Sequence, residues 1–416
     1  MTLTVSKRLY HISQSFSCGR MKAVVLAAGK GTRLGPFTVS QPKVMIEVAN
    51  KPILEYVVDS LVGNGIRDIV MVVGYKKEKI MSHFEDGGNF GAEIEYVEQK
   101  KQLGTAHALH TAKDSVDDEF IMLPGDNIID PTTVSDLMEK KKGISVVITE
   151  SEYPSKYGVV VLSGGNIKEI VEKPKEEVSN LISTAICSFE PSVFDKLDSL
   201  MKEGKYDITD LIQILVSETN VKGIFTTGMW ADAVYPWDIL KVNSTALNKL
   251  TEEKAGTIES GATLKGPVSV GEGSIIRSGS YISGPVVIGK GCEIGPNVCI
   301  YPSTSIGNNA RIGPFSVVEH SVLMSDVGLG PGSHLSNCVV GPGCLFSSRF
   351  SGVGGSTVFI HEGETHELAN VGSFIGEDSV IGSGVVAGPG TIVGARSRIS
   401  SLAKLSGRLP NDSIVV

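Results

Sequence analysis

A glycine-rich segment near the start of the chain carries the residues best suited to bind phosphate. Residues 26–43 read LAAGKGTRLGPFTVSQPK and follow directly on an apolar run. Gly29, Gly31 and Gly35 can adopt backbone conformations closed to other residues, which lets main-chain N–H groups approach phosphate oxygens closely. Arg33 adds a forked guanidinium donor for such oxygens. The spacing matches neither the dinucleotide-binding nor the Walker A pattern, so the loop predicts a phosphate site without specifying its ligand.

A carboxylate follows a second apolar run. Asp126 lies in the segment Leu-Pro-Gly-Asp-Asn, after the apolar residues 120–123. Aspartate oxygens are hard ligands suited to Mg²⁺, which keeps several waters and bridges substrate phosphates. A lone aspartate after a strand is also a common turn residue. A metal site here therefore needs a second carboxylate from elsewhere in the chain.

The elements that must position these residues follow an α/β pattern over residues 21–250. Short apolar runs alternate with helical stretches, which indicates βαβ units around a mostly parallel sheet. The predicted strands are Lys22–Leu26, Ile69–Val73, Ile94–Glu98, Phe120–Leu123 and Ile144–Thr149, and the predicted helices include Ile53–Asn64 and Thr105–Ala112. Such sheets bind ligands at the carboxyl ends of their strands.

Residues 251–416 have a different period. Every sixth position is aliphatic in one tract (Ile258, Leu264, Val270, Ile276, Ile282, Ile288, Ile294, Ile300, Ile306, Ile312, Val318) and again in a second (Ile375, Ile381, Ala387, Val393, Ile399, Leu405). A six-residue repeat with glycine at the corners is typical of a parallel β-helix, in which three hexads close one coil. A β-sandwich would alternate with period two instead. The irregular residues 347–370 indicate a lid or an intersubunit loop.

Composition excludes several classes of function. The formal charge of −8 provides no broad basic surface for nucleic acid, and no apolar stretch is long enough to cross a membrane. The six cysteines are scattered, without zinc-ligand spacing, which favours free thiols in the cytoplasm. Residues 1–20 are basic and serine-rich without an apolar core, so they are predicted to be a disordered extension rather than a secretory signal.

The ordered motifs of the first domain resemble the sugar-1-phosphate nucleotidylyltransferase family. LxxGxGTRL, Pro42-Lys43 and KPxxEY at residues 51–56 occur in the family's order. The resemblance implies a Rossmann-like domain that transfers a nucleotidyl group from UTP or dTTP to a sugar 1-phosphate. On that pattern Leu26, Ala28, Gly29 and Gly31 bind the nucleotide, Arg33 binds the departing pyrophosphate, and Lys43 contacts the α-phosphate and the sugar phosphate.

The same resemblance suggests residues for the base and the metal. The segment QKKQLGTAHA at residues 99–108 is similar to the family's base-reading element, so Gln99, Gly104 and Thr105 are expected to pair with a pyrimidine edge. His107 in this segment is interpreted as a helix-packing residue rather than a catalyst. The segment from Met229 to Asp238 resembles the family's WxD…PWD element, which makes Asp232 the second Mg²⁺ ligand beside Asp126.

Further elements resemble the family's sugar site. Gly158 follows a tyrosine, and Glu172 and Lys173 lie in a VEKP segment; glycine and glutamate are expected to contact the sugar, and lysine its phosphate. Glu172 and Lys173 would point to opposite faces of a strand, so a bulge or turn must place one of them, or one role is wrong. Ser183 replaces the asparagine that relatives carry, which leaves the sugar open between glucose and N-acetylglucosamine.

The repeat region resembles the hexapeptide-repeat family of left-handed β-helices. That resemblance implies a homotrimer and, in archaeal bifunctional relatives, an acetyltransferase that uses acetyl-CoA as co-substrate. His334 corresponds to the general base of those relatives, although Asn337 replaces their tyrosine. Two alternatives remain. The β-helix serves only as a trimerisation scaffold, or the whole chain is a non-catalytic regulator like the pyrophosphorylase-like subunits of a translation-initiation exchange factor.

Overall fold

The computed structural model describes residues 21–176, 178–361 and 364–416. The predicted N-terminal extension therefore lies outside the described residues. A mixed sheet of nine strands forms the centre of the first domain; four of its neighbouring strand pairs are parallel and four are antiparallel, so it is less parallel than the sequence predicts. From one edge to the other its strands are Glu93–Glu98, Asp68–Val73, Lys22–Ala27, Phe120–Pro124, Leu181–Phe189, Ser145–Glu150, Lys222–Phe225, Asn166–Glu172 and Gly158–Ser163.

Helices pack on both faces of this sheet, which is the expected α/β arrangement. They are α1 (Ile53–Gly63), α2 (Lys77–Phe84), α3 (Thr105–Thr111), α4 (Pro131–Lys140), α5 (Val193–Glu203), α6 (Ile208–Glu218) and α7 (Asp238–Leu247). Local sequence explains where helix α4 begins. The Asp130 side chain caps it by accepting a hydrogen bond from Thr133 N, and Pro131 occupies the first turn. No helix in the described ranges is long and apolar enough to cross a membrane.

Short strands complete the first domain. Glu47–Val48 pairs with Lys51–Pro52, and Trp230–Asp232 pairs with Asn127–Ile129 in antiparallel register. The second pairing sets Asp232 opposite Asn127 and therefore next to Asp126.

The second domain is a parallel β-helix, as the hexads predict. Its first face contains Thr257–Ile258, Ile275–Ile276, Glu293–Ile294, Arg311–Ile312, Gly328–Leu329, Leu345–Phe346, Val380–Ile381, Arg398–Ile399 and Ile414–Val415. Its second contains Thr263–Lys265, Tyr281–Ser283, Cys299–Ile300, Val317–Glu319, His334–Ser336, Ser351–Gly352, Val386–Ala387 and Lys404–Leu405. Its third contains Val268–Val270, Val286–Ile288, Thr304–Ile306, Val322–Leu323, Val339–Val340, Phe374–Ile375, Ile392–Val393 and Arg408–Leu409.

The β-helix is continuous between the two tracts of the repeat. Ile276 stacks on Ile294, a coil of 18 residues, whereas Ile306 stacks on Leu323, a coil of 17 residues. The shorter coils shift the aliphatic position by one residue, so the repeat disappears from a strict six-residue count after Val318 although the inward stacking persists.

Residues 347–370, for which the sequence predicts a lid or an intersubunit loop, contain regular structure. Ser351–Gly352 belongs to a coil, and the strands Gly355–His361 and Glu364–Val371 form an antiparallel hairpin. The hairpin packs on the first domain of the same chain, with the ring of His366 4.6 Å from Tyr235 and 4.8 Å from Trp237. This contact buries the aromatic rings of Tyr235 and Trp237, and that burial favours packing of the hairpin on the first domain.

The third face of the β-helix packs against the first domain. Its outward side chains Val322, Val339 and Phe374 are buried in a cluster that also contains Leu34 and Phe37 of the glycine-rich loop. Polar contacts cross the same interface. Asn243 of α7, fully buried, accepts from Ser305 Oγ at 2.6 Å, and Ser40 donates to Glu377. The β-helix thus supports the loop that is predicted to bind phosphate.

Candidate functional site

A cleft of about 640 Å³ opens at the carboxyl ends of the parallel strands. Every residue that the sequence suggests for the first domain's site lines it: Leu26, Ala28, Gly29, Gly31, Arg33, Lys43, Gln99, Gly104, Thr105, Asp126, Gly158, Glu172, Lys173, Ser183 and Asp232. His334 lies on the second face of the β-helix, outside this cleft.

The glycine-rich loop forms one wall of the cleft. It leaves the strand Lys22–Ala27, and a single 3-10 turn, Thr32–Leu34, carries the exposed Arg33. Gly31 has φ of 68°, and a Cβ added there would lie 2.6 Å from Lys43 Cβ. Glycine is therefore required at this position both by backbone conformation and by the close approach of Lys43.

Lys43 lies between two carboxylates at the floor of the cleft. Its Nζ is 2.7 Å from Asp126 Oδ2 and 2.7 Å from Asp232 Oδ1. Burial by itself lowers the pKa of Lys43, but the two carboxylates outweigh burial and raise this pKa above its ordinary value. Burial raises the pKa of Asp232; Lys43 opposes this shift, and the charge of Asp126 adds to it.

The two carboxylates fit a divalent cation held partly by substrate. Each carboxylate places one oxygen 2.7 Å from the positively charged Nζ of Lys43. Within the described ranges no group of three or more His, Cys, Asp or Glu side chains is arranged to hold a metal. Mg²⁺ characteristically takes one or two carboxylates and completes its octahedron with water and phosphate oxygens. Asp126 and Asp232 are the residues that would hold it here.

A second wall contains the residues suggested for the base. Gln99 follows the strand Glu93–Glu98 and is 3% exposed, and its Nε2 lies 3.1 Å from Gly104 O. A Cβ on Gly104 would lie 2.4 Å from the main-chain oxygen of Tyr206, so the loop before α6 closes tightly over the start of α3. Thr105 Oγ1 accepts from Ile208 N at 2.9 Å. Asp207, Ile208 and Thr209 also line the cleft, and sequence reasoning missed them because this segment carries no recognisable motif.

The third wall holds the residues suggested for the sugar. The strand Asn166–Glu172 ends at Glu172, and Lys173 adopts φ of 42°, so a left-handed turn brings both residues to the cleft. Lys173 Nζ is 3.1 Å from Glu172 Oε1. This turn is the alternative that allows both predicted roles. Ser183 Oγ accepts from Ala185 N at 3.1 Å within a bulge of the strand Leu181–Phe189.

Aromatic and cationic side chains close the cleft near the β-helix. Tyr157 packs edge-on against Trp230, with ring centroids 5.4 Å apart, and burial raises the pKa of Tyr157. Lys156 lies 5.4 Å above the ring of Tyr235, which also contacts His366 of the hairpin. Lys156 has no motif of its own, and only the fold shows that it lines the cleft.

His334 has a carboxylate neighbour. Its Nε2 is 3.6 Å from Glu319 Oε1, and its side chain is 43% exposed. The two residues lie on adjacent strands of the second face, Val317–Glu319 and His334–Ser336. Asn337, which replaces the expected tyrosine, instead bonds Ser336 Oγ at 3.0 Å and Asn370 Oδ1 at 3.3 Å.

Comparison with known proteins matches both domains. Residues 22–249 match the nucleotidyl transferase family, and residues 285–320 match the bacterial transferase hexapeptide family of six repeats. A bifunctional protein GlmU of Methanococcus maripaludis is 39% identical over 260 residues, which are 61% of this chain and 61% of that protein. The chain therefore aligns with less than two thirds of that relative's length.

Two shorter proteins resemble the first domain. The UTP–glucose-1-phosphate uridylyltransferase AglF of Haloferax volcanii is 39% identical over 248 residues, covering 58% of this chain and all of AglF (100%). A crystal structure from Bacillus anthracis, described as a glucose-1-phosphate thymidylyltransferase with sucrose, aligns with a TM-score of 0.52 and 29% identity over 56% of this chain and 98% of that one. Since the nucleotidyl transferase match alone covers more than half of the residues, this chain belongs to the nucleotidyl transferase family.

Proposed function

We propose that this protein transfers a nucleotidyl group from UTP or dTTP to the phosphate of a sugar 1-phosphate and releases pyrophosphate, with Mg²⁺ as cofactor. One observation carries the proposal: the Lys43 ammonium lies between Asp126 and Asp232 at the floor of a cleft that also contains the glycine-rich loop. The relatives named for uridylyl and thymidylyl transfer support the reaction class.

The proposed reaction is an in-line displacement at the α-phosphorus. A phosphate oxygen of the sugar phosphate forms a bond to this phosphorus while the bond to the β-phosphate oxygen breaks, so pyrophosphate leaves. Bound Mg²⁺ would neutralise phosphate charge and align the reacting oxygens. Lys43 would neutralise the α-phosphate, and Arg33 would hold the leaving pyrophosphate. Lys173 would hold the sugar phosphate, so that positioning and charge supply most of the catalysis.

For the substrates, Gln99, Gly104 and Thr105 are proposed to bind the pyrimidine, and Gly158, Glu172 and Ser183 the sugar. The Ser183 hydroxyl accepts from Ala185 N, so it is positioned by its own main chain. Its shorter side chain leaves more space than an asparagine. N-acetylglucosamine 1-phosphate and glucose 1-phosphate are the two proposed acceptors.

A matrix of nucleotides and sugar phosphates tests this function. Purified protein with each of UTP, dTTP, CTP, ATP and GTP against each sugar 1-phosphate should release pyrophosphate only with Mg²⁺, a pyrimidine triphosphate and an acceptor together. The variant Arg33→Ala should keep the fold and lose turnover. Silence across the whole matrix would refute the proposal and favour the regulatory alternative, in which the chain binds nucleotide sugars without turnover.

A second candidate, acetyl transfer from acetyl-CoA to an amino-sugar 1-phosphate, is favoured by the 3.6 Å approach of Glu319 to His334 Nε2. In this reaction His334 would take the proton from the amine as general base. Thiol release with glucosamine 1-phosphate or galactosamine 1-phosphate, lost in His334→Ala, tests it. Release with neither acceptor leaves the β-helix as the scaffold of the proposed homotrimer, which sedimentation can measure.

A further inference from the structure

The orientation of the Gln99 side-chain amide is determined by its neighbours. Its Nε2 lies 3.1 Å from the main-chain oxygen of Gly104 and 2.8 Å from Nδ1 of His107. A main-chain carbonyl oxygen can only accept a hydrogen bond, so the amide atom facing Gly104 must be the NH₂ group. This group has two protons, and the two contacts account for both. The hydrogen-bonding atom that remains on this amide is Oε1, an acceptor.

The contact with Gln99 also determines the state of His107. Because the NH₂ group donates, Nδ1 of His107 must accept, which requires a neutral ring with its proton on Nε2. His107 lies near the start of α3, and its ring contacts that of Tyr206 edge-on, with centroids 6.2 Å apart. Burial and the nearby His110 lower the pKa of His107. His110 itself pairs with Asp198, at 2.7 Å, and does not share the contact with Gln99.

We propose that His107 is a positioning residue for nucleotide selection: by accepting from Gln99 Nε2, it holds Gln99 Oε1 as the acceptor that the site presents to the base. This inference rests on the proposed function, in which Gln99 contacts the pyrimidine. Uracil and thymine carry a donor, N3–H, where cytosine carries an acceptor. An acceptor on the protein therefore matches UTP and dTTP and repels the N3 lone pair of CTP. If the amide rotated, the same residue would present a donor and favour CTP.

Loss of the His107 contact should weaken selection without abolishing it. Without His107, Gln99 Nε2 still donates one hydrogen bond to Gly104 O. The free-energy difference between the observed and the flipped orientation of the Gln99 amide should therefore shrink by about the value of one neutral hydrogen bond. This corresponds to about tenfold in the ratio of kcat/KM for UTP over CTP. Protonation of His107 acts in the same direction, because Nδ1–H then faces another donor. Selection for UTP should therefore weaken as the pH falls through the pKa of His107.

The test compares three variants of the full chain. His107→Leu keeps an apolar side chain but removes the acceptor, His107→Gln retains an acceptor, and His110→Leu is the control on the same helix, one turn further on. Initial rates of pyrophosphate release give kcat and KM for UTP, dTTP and CTP between pH 5.5 and 8. His107→Leu should raise KM for UTP with little change in kcat and lose about tenfold of the UTP preference. His107→Gln should recover most of the preference and remove its pH dependence. His110→Leu should keep the wild-type preference at pH 8, and its loss of preference on acidification should begin at higher pH, because His110 no longer lowers the pKa of His107.

The possible failures can be told apart. Wild-type protein that does not use pyrimidine triphosphates refutes the proposed function itself. Wild-type protein that prefers UTP, together with a His107→Leu variant that prefers it equally, refutes the role of His107 alone. If His107→Leu does not fold, His107→Phe decides, because its ring can still pack against Tyr206 and it has no acceptor. A His107→Phe variant that keeps the wild-type preference for UTP at pH 8 overturns the inference.

Discussion

Replacing Lys43 by methionine would leave the carboxylates of Asp126 and Asp232 facing each other without the ammonium between them. The side chains of Lys43 and Asp232 are 12% and 13% exposed, so water compensates little for the loss. Methionine has about the volume of the lysine stem, and packing around Gly31 should persist. The variant therefore isolates the electrostatic contribution of one buried positive charge.

The expected loss of stability arises because Asp126 and Asp232 remain in the cleft without their cationic partner. Removing one partner of a buried ion pair costs about 3–5 kcal/mol. In the wild type the raised pKa of Lys43 means that its contribution is fully present below about pH 10.4, the ordinary value, and is lost only as the pH rises through the folded-state pKa. At pH 8 the wild type retains all of it.

The variant should depend on pH in a different window, between acidic and neutral pH. Without the ammonium, burial and the charge of Asp126 raise the pKa of Asp232 further above its unfolded-state value of about 3.9. The folded state then binds more protons than the unfolded state, so stability falls as the pH rises from about 4 to 8. A divalent cation would replace the missing charge, and Mg²⁺ should stabilise the variant more than the wild type.

Denaturant unfolding, followed by tryptophan fluorescence at pH 5 and pH 8 with EDTA or Mg²⁺, measures these effects. The deficit of Lys43→Met should be about 3–5 kcal/mol at pH 8 in EDTA and smaller at pH 5 or with Mg²⁺. Lys77→Met is the matched control, because Lys77 forms an exposed pair with Glu98 and should cost at most about 1 kcal/mol, without dependence on Mg²⁺. A Lys43→Met deficit that responds neither to pH nor to Mg²⁺ would show that Asp126 and Asp232 do not form a cation site.

Two further substitutions test how other parts of the fold support the cleft. Phe374→Ala should lower the free energy of unfolding by about 3–5 kcal/mol, because the ring is fully buried between the domains. It should also raise KM for the nucleotide, since Leu34 and Phe37 share its cluster; kinetics and stability both like the wild type would contradict the interface. Gly104→Ala should reduce kcat/KM for UTP by at least tenfold, because the added methyl group would meet Tyr206 O at 2.4 Å. Unchanged kinetics would show that the loop containing Tyr206 moves to accommodate the methyl group without affecting catalysis.

Features that depend on local periodicity were predictable. The strand predicted at Lys22–Leu26 is observed at Lys22–Ala27, and the helix predicted at Ile53–Asn64 is observed as α1, Ile53–Gly63. The hexads predicted the β-helix for the same reason, since an inward aliphatic side chain every six residues is a property of each short segment. Where coils of 17 residues interrupt the count, the pattern was lost although the fold continues.

The candidate site was predictable as a set of residues but not as an arrangement. The motifs indicated Lys43, Asp126 and Asp232. Yet the two distances of 2.7 Å from Lys43 Nζ to the carboxylates depend on the pairing of Trp230–Asp232 with Asn127–Ile129, about one hundred residues apart. The turn that carries Lys173 to the cleft was one of several open possibilities. His107 was interpreted as a packing residue, because its contact with Gln99 exists only once α3 and the neighbouring strand are in place.

By itself, then, the sequence determined the two-domain plan, the repeat and the residue types available for phosphate transfer, because these follow from local spacing and side-chain chemistry. The tertiary structure decided which charges meet, which atom of Gln99 remains available, and that the third face of the β-helix holds Leu34 and Phe37 of the glycine-rich loop. Those features arise from contacts between distant segments. Their free energies depend on burial and geometry, which no short stretch of sequence contains.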